Sequence, residues 1–393
     1  MHNALLLSLL SRDGSGLLIA AAVALLGGLL RLLGAPGLAV GLVLALALLL
    51  AAGAAWHGLQ VRQVMKQHPA PGRMVDAGGF KLHLLAEGGD GEARGATLLC
   101  IAGGYASAAP MAYLHVALRQ HTRSLMLDRP GTGWSDIAPF PRSTAGEADE
   151  IWRALDSAGE AGPFIIAGHS FGGLLAANIA RRRPERVASL VLLDATPPDT
   201  ILYGPRLTNL KLMSRQAFAG GLLRLFGFTD APWERAQREH PQYAELVKTI
   251  TAVMGEAGRV EKALNVRARR HFASASIYRE LTPPGMAACA WETAPYDGDL
   301  SPLRVLVVAP GTSGEIAKLP EVMAAGEREA LRMQAFYPRS RESWLRVSSQ
   351  SVRVIAPAGT GHNFPYEAPQ FVIDLLLAEV QRVERGVRQT VTA

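Results

Sequence analysis

Ile165-Ile166-Ala167-Gly168-His169-Ser170-Phe171-Gly172-Gly173 is the stretch on which the reading of the fold turns. A short apolar β-type run meets a serine flanked by glycines, and a helix-type stretch, Leu174-Leu175-Ala176-Ala177, follows at once. Gly168 to Gly172 fits G-x-S-x-G, the strand-to-helix turn that lifts a nucleophilic serine above the end of a sheet. The need is steric. The serine is held in a strained backbone conformation, and side chains at Gly168 and Gly172 would collide with their surroundings. The helix that begins there aims its free N–H groups and positive dipole end at developing negative charge. In a chain with 40 glycines so short a pattern also arises by chance. The flanking strand and helix make it informative, and its partners elsewhere decide.

Outward from the turn, 393 residues are enough for a large core and for two or three domains. Hydrophobic residues make up 49% and charged ones 19%, which points to a membrane contribution. The net charge of +6 is modest, and Lys and Arg are scattered rather than striped, which argues against nucleic acid as a partner. The two cysteines, Cys100 and Cys289, exclude a disulfide scaffold and a Cys-rich metal site. Cys100 lies in a strand-like run and reads as a small buried hydrophobe.

Residues 1–60 read as a membrane anchor. Two apolar runs, about 16–33 and 38–56, are separated by Gly34-Ala35-Pro36-Gly37, and their lengths suit a helical hairpin in the bilayer with Trp56 at an interface. A cleaved signal peptide fits badly, because the apolar region is too long and double. Arg62, Lys66 and Arg73 follow the second run, so the positive-inside tendency places the rest of the chain on the cytoplasmic side. Residues 61–72 read as a polar linker.

Beyond it, Met74–Ala77 and Phe80–Leu85 flank Gly78-Gly79 as a hairpin, and apolar strand-like runs recur at 97–101, 124–127, 164–166, 187–193, 305–308 and 352–355. Helix-like stretches at 108–120, 145–158, 172–183, 325–347 and 369–385 separate them. Such alternation, with continuously apolar strands, predicts an α/β fold with a mostly parallel sheet covered on both faces, built from 73–196 and 301–393. Between them the alternation stops. Residues 197–300 carry amphipathic stretches (207–225, 233–253, 260–278) and read as a helical cap whose apolar faces suit an apolar substrate.

At this point the chain resembles an α/β-hydrolase. Besides the serine turn, Leu127-Asp128-Arg129-Pro130-Gly131-Thr132-Gly133-Trp134-Ser135-Asp136 is similar to that superfamily's loop after the fourth strand. Val191-Leu192-Leu193-Asp194-Ala195-Thr196-Pro197-Pro198-Asp199 is similar to its sixth strand and exit, and Gly359-Thr360-Gly361-His362-Asn363-Phe364 with Pro369 to its histidine loop and last helix. The landmarks run in the family's order over roughly residues 73 to 385. The resemblance implies a Ser-His-acid triad, a backbone oxyanion hole and no cofactor.

Within it, Ser170 is the expected nucleophile and His362 the expected base. Two carboxylates compete for the third place. Many relatives carry the acid after the seventh strand, where this chain reads Ala309-Pro310-Gly311-Thr312-Ser313-Gly314-Glu315, without an aspartate, so Glu315 is one candidate. Asp194, at the end of the sixth strand, is the other and the favoured one. The expected oxyanion donors are the N–H of Phe171 and that of Gly104, with Gly103 as the alternative, in a loop where alanine, Ala102, takes a position that is often histidine. His169 should pack behind the site, while His83, His115 and His121 read as structural or surface residues. No His/Cys/carboxylate cluster has metal-ligand spacing, and the Gly-rich stretches Gly131-Thr132-Gly133 and 311–314 lack phosphate-loop spacing. The expected activity is serine hydrolysis of a carboxylic or lipid-like ester. A non-catalytic binder, an acyltransferase and related acyl chemistries stay open, as does the oligomeric state.

Overall fold

The computed structural model describes residues 4–89, 95–198, 208–228, 241–280, 297–311, 332, 335–336 and 338–391. Among them, eight strands form one sheet: β1 Arg73–Asp76, β2 Lys81–Glu87, β3 Thr97–Ile101, β4 Arg123–Leu127, β5 Phe164–His169, β6 Val187–Leu193, β7 Arg304–Ala309 and β8 Gln350–Ile355. Their spatial order is β1-β2-β4-β3-β5-β6-β7-β8. β2 runs antiparallel to β1 and β4, and every pairing from β4 to β8 is parallel.

The inner strands β3, β5, β6 and β7 are apolar on both faces because helices cover both, whereas the edge strands β1 and β8 are largely exposed. Side chains alternate along each strand. Leu99, Ile101 and Ile166 enter one core with helices α5 (Thr144–Ser157) and α6 (Phe171–Arg182). Leu98, Cys100, Ile165 and Ala167 enter the other, with α4 (Ala112–Leu118) and α11 (Pro369–Val391). All six residues of β5 are buried, as a central strand requires. α5 starts where Ser143 accepts the N–H of Gly146 at 3.0 Å and buries Ile151, Trp152 and Leu155. The parallel strands from β3 to β8 bring their carboxyl ends to one edge, where the loops following β3, β5, β6 and β8 meet.

The N-terminal part contains α1 (Ala4–Leu10), α2 (Ser15–Leu32) and α3 (Gly37–Gln67). α2 and α3 are each long and apolar enough to cross a membrane, and only 22% and 17% of their most apolar windows are buried, unlike the core helices of a soluble domain. They lie antiparallel. Gly16 packs at Ala54 and Gly27 at Leu44, positions where a Cβ would come within 2.8 Å of the neighbour. The expected linker 61–72 is largely helix, since α3 continues to Gln67. Gln60, Arg62, Gln63 and Lys66 are good helix formers, and His57 and Val61 are buried at the end of the same helix. α1 had no counterpart in the sequence reading.

In the expected cap lie α7 (Thr208–Arg224), α8 (Pro241–Leu264, broken at Gly255) and α9 (Arg269–Glu280). Gly255, non-helical at φ 56° and ψ −126°, divides α8 into two helical segments near the break read off the sequence between 253 and 260. Of the helix expected over 325–347, residues 332, 335–336 and 338–341 are helical and Glu342–Leu345 form a short 3-10 turn, while 325–331, 333–334 and 337 lie outside the described residues.

Candidate active site

Ser170 stands between β5 and α6 with φ 54° and ψ −125°. The tight turn requires its glycines. A Cβ on Gly168 would lie 2.4 Å from the Gly172 carbonyl oxygen, and one on Gly172 would lie 2.3 Å from that of Ala102. The backbone around the serine is tied to the next strand: Ser170 N–H donates to Leu193 O at 3.1 Å, and Thr196 N–H donates to Ser170 O at 2.9 Å.

His362 follows β8 on the loop that leads into α10 (Phe364–Glu367). Its Nε2 lies 3.0 Å from Ser170 Oγ, and its Nδ1 lies 2.6 Å from Asp194 Oδ2. With Nδ1–H donated to the carboxylate, which fixes the tautomer, Nε2 is left to accept the Ser170 proton. The loop is fixed by local bonds: Thr360 Oγ1 donates to Pro357 O at 2.7 Å, and Gly361 N–H donates to Glu367 Oε2 at 2.7 Å.

Backbone strain marks the same place independently of any motif. Among the described residues, the non-glycine residues at positive φ are Ser170 (54°) and Asp194 (42°). Each such conformation costs on the order of 1–3 kcal/mol and persists where the surroundings enforce it. For Asp194 the enforcement comes from β7, whose Val308 carbonyl accepts its N–H at 2.9 Å.

The Asp194 side chain is fully buried, and it has a second partner that the sequence reading missed. Arg341 Nη2 lies 3.0 Å from Oδ2 and Arg341 Nε 2.5 Å from Oδ1. A buried carboxylate is costly unless paired, and here an imidazole and a guanidinium share it. Nothing local to Arg341 announces this role, because it sits 147 residues from its partner. The competing Glu315 lies outside the described residues.

The loop after β3 closes over the serine. A Cβ on Gly103 would lie 3.2 Å from Ser170 Cβ, so this loop passes directly above the turn. Phe171 is the first residue of α6, and its N–H has no acceptor within the helix. Gly104 is held from behind: Arg129 Nη1 donates to its carbonyl at 2.6 Å. Arg129 is itself gripped by Glu147 at 2.5 and 3.0 Å and lies over the ring of Tyr105, 4.5 Å from its centroid. Arg129 belongs to the Asp-Arg-Pro-Gly loop picked out in the sequence, but its hold on Gly104 was not legible there.

His169 turns away from the substrate side. Its Nε2–H donates to the backbone carbonyl of His362 at 2.9 Å, and its ring lies 4.9 Å from the His362 ring. Burial, and then the neighbouring His362, push its pKa down to about 3. The unfolded side chain titrates near 6.5. Between those values protons favour the unfolded chain, so the contribution is intact above about pH 6.5 and is lost as the pH falls toward 3. In His169→Gln the acid-side decline of unfolding free energy should be shallower by up to about 1.4 kcal/mol per pH unit. Urea unfolding in detergent from pH 7 to 4 measures this, and an unchanged slope would remove His169 from the acid response.

His83 and His115 are built into the frame. His83 Nδ1 lies 3.0 Å from Asp128 Oδ2, and His115 lies between Ser124 and Glu87, while His121 is exposed. Among the described residues no group of three His, Cys, Asp or Glu side chains could hold a metal ion. Cys100 is buried, which raises its thiol pKa to about 12.

Comparison with known proteins agrees with this frame. The family model for the alpha/beta hydrolase fold matches residues 96–273. An esterase from Thermogutta terrifontis superimposes with a TM-score of 0.53 at 19% identity, covering 79% of this chain and 98% of that one. The enol-lactonase of Burkholderia xenovorans gives 0.51 at 14% identity, covering 79% and 100%. In sequence, lipase LipV of Mycobacterium tuberculosis is 49% identical over 56 residues, 14% of this chain and 20% of the lipase. The curated relatives are matched over only 20% to 43% of their own length. The chain has the α/β-hydrolase fold.

Proposed function

We propose that the chain is a membrane-anchored serine hydrolase that cleaves a carboxylic or lipid-like ester. The observation that carries this reading is the unbroken hydrogen-bonded path from Ser170 Oγ through His362 to Asp194 at the carboxyl edge of the sheet. Ser170 Oγ attacks the ester carbonyl carbon while its proton passes to His362 Nε2. The carbonyl oxygen becomes an oxyanion facing the N–H groups of Phe171 and Gly104, with Gly103 as the alternative donor. When the tetrahedral species collapses, the carbon–oxygen bond of the ester breaks, and the alcohol departs with the proton from Nε2. Water then attacks the acyl-serine, gives its proton to the same nitrogen, and releases the acid as Ser170 recovers its hydrogen.

The apolar helices α2 and α3 are read as the anchor, with the hydrolase body on the cytoplasmic side, in keeping with Arg62, Lys66 and Arg73 after the second span. The 56-residue likeness to lipase LipV is in keeping with an ester substrate.

A fluorophosphonate probe and a series of nitrophenyl esters from acetate to palmitate test the reading. Wild-type protein should label covalently and turn over esters, with preference rising with chain length. A folded protein that neither labels nor hydrolyses would instead be a binder, and acyl transfer to an added alcohol would make it a transferase.

A further inference from the structure

The turn that ends α7 is wedged against the membrane hairpin, and the wedge has a defined depth. The Leu225 carbonyl oxygen lies where a Cβ on Gly16 would be, at 2.4 Å, and the Phe226 carbonyl oxygen where one on Gly53 would be, at 2.6 Å. Gly227 packs on the Trp56 ring. Leu225 joins Leu7, Leu10, Ala268 and Phe272 in one buried cluster. Three residues before Gly16, Asp13 pairs with Arg267 at 3.1 Å. The order along the hairpin is thus an ion pair at Asp13, then Gly16, Gly53 and Trp56 beside the cap, then the leucine-rich spans. A polar layer, an aromatic and an apolar slab in that sequence match the profile of a bilayer interface.

At that level the cap is apolar on its outside. Phe228 is 60% exposed and Leu223 45% exposed, next to Trp56 at 57%. Phe228 N–H donates to Leu223 O at 3.2 Å, which closes the turn that carries both side chains. This patch continues the outward-facing surface of α2 and α3 without a polar gap between Trp56 and Gly227. Inside, α9 and the residue before it connect the two places: Ala268 and Phe272 belong to the hairpin-side cluster, while Ala273 and Ile277 pack with Tyr105 and Phe171 beside Ser170.

We propose that the cap turn 222–228 is seated in the bilayer interface, with Leu223 and Phe228 among the lipid acyl chains, and that the enzyme takes esters dissolved in the membrane rather than in water. This rests on the anchored serine hydrolase reading and adds to it the phase from which substrate comes. The occupant of the patch is the phospholipid bilayer, because the patch is continuous with the spans and fixed to them by backbone contact.

The test uses full-length protein in phosphatidylcholine–phosphatidylglycerol vesicles. Leu223→Glu/Phe228→Glu should lose at least about ten-fold of its rate on nitrophenyl palmitate dissolved in the bilayer, since carboxylates would expel the turn from the acyl region. Turnover of aqueous nitrophenyl acetate should stay within about two-fold, which also reports an intact fold, because both side chains are exposed in the native state. Palmitate turnover at the wild-type rate would overturn the proposal. A second reading does not depend on catalysis: the fluorescence gained in Phe228→Trp should be quenched by shallow brominated lipids, and its indifference to them would overturn the seated cap. Wild-type protein released by alkaline carbonate would instead remove the anchor, and wild-type protein inert toward both esters would remove the hydrolase chemistry while the quenching result still decides where the cap sits.

Discussion

Ser170→Ala should lower kcat for ester hydrolysis by roughly 10⁵ to 10⁶ and abolish fluorophosphonate labelling, with KM little changed. The size follows from the proposed chemistry. Without Oγ there is no acyl-enzyme, and water must attack the bound ester directly. The oxyanion donors and binding remain, and such residual features keep about 10³ to 10⁴ over the uncatalysed reaction. Stability should change little, because the contacts that hold the turn are backbone bonds to Leu193 and Thr196 together with the close approach of Gly168 and Gly172. Burst and steady-state kinetics with nitrophenyl butyrate, alongside a melt, give the answer. A variant that keeps measurable burst labelling would place the nucleophile elsewhere.

Asp194→Asn should reduce kcat on the order of 10⁴. The amide occupies the same space, but one of its two polar atoms is a donor. His362 Nδ1–H then faces either a competing donor or a weaker, uncharged acceptor, and the tautomer that leaves Nε2 free to take the serine proton is no longer enforced. A second effect separates this residue from an ordinary turn cap. Arg341 loses its carboxylate partner, and breaking a buried ion pair costs about 3–5 kcal/mol, so the melting temperature should fall together with activity. Glu315→Gln, at the other candidate acid, should leave turnover within about two-fold. The opposite pair of results would move the acid to the segment after β7.

Much of this was legible in the chain because it rests on short-range physics. The serine turn declares itself through sterics within five residues. The strands declare themselves as apolar runs, because a doubly covered sheet leaves them no polar face. His362 stood out among ten histidines through the glycines around it and the strand before it. The two long apolar helices were visible as apolar runs, but not that α3 continues to Gln67: the switch from apolar to polar near Val61 is a change of side chains, not of backbone conformation.

The choice between two acids was different. Asp194 and His362 are 168 residues apart, and Ser170 and His362 are 192 apart. Whether a carboxylate meets an imidazole depends on the strand register that fixes the ends of β6 and β8, and on the Val308 carbonyl that bends Asp194 to positive φ. Arg341 behind Asp194, Arg129 behind Gly104, and the cap turn on the hairpin are likewise contacts between distant segments with no local signature.

By itself, then, the sequence determined the serine turn, the parallel sheet and the apolar hairpin, because local sterics and side-chain periodicity suffice for each. Only the tertiary structure brought Asp194 to His362, Arg341 and Arg129 to the same site, and the turn after α7 to the hairpin. Those outcomes depend on ångström-scale meetings of groups far apart in the chain, which packing sets and composition does not.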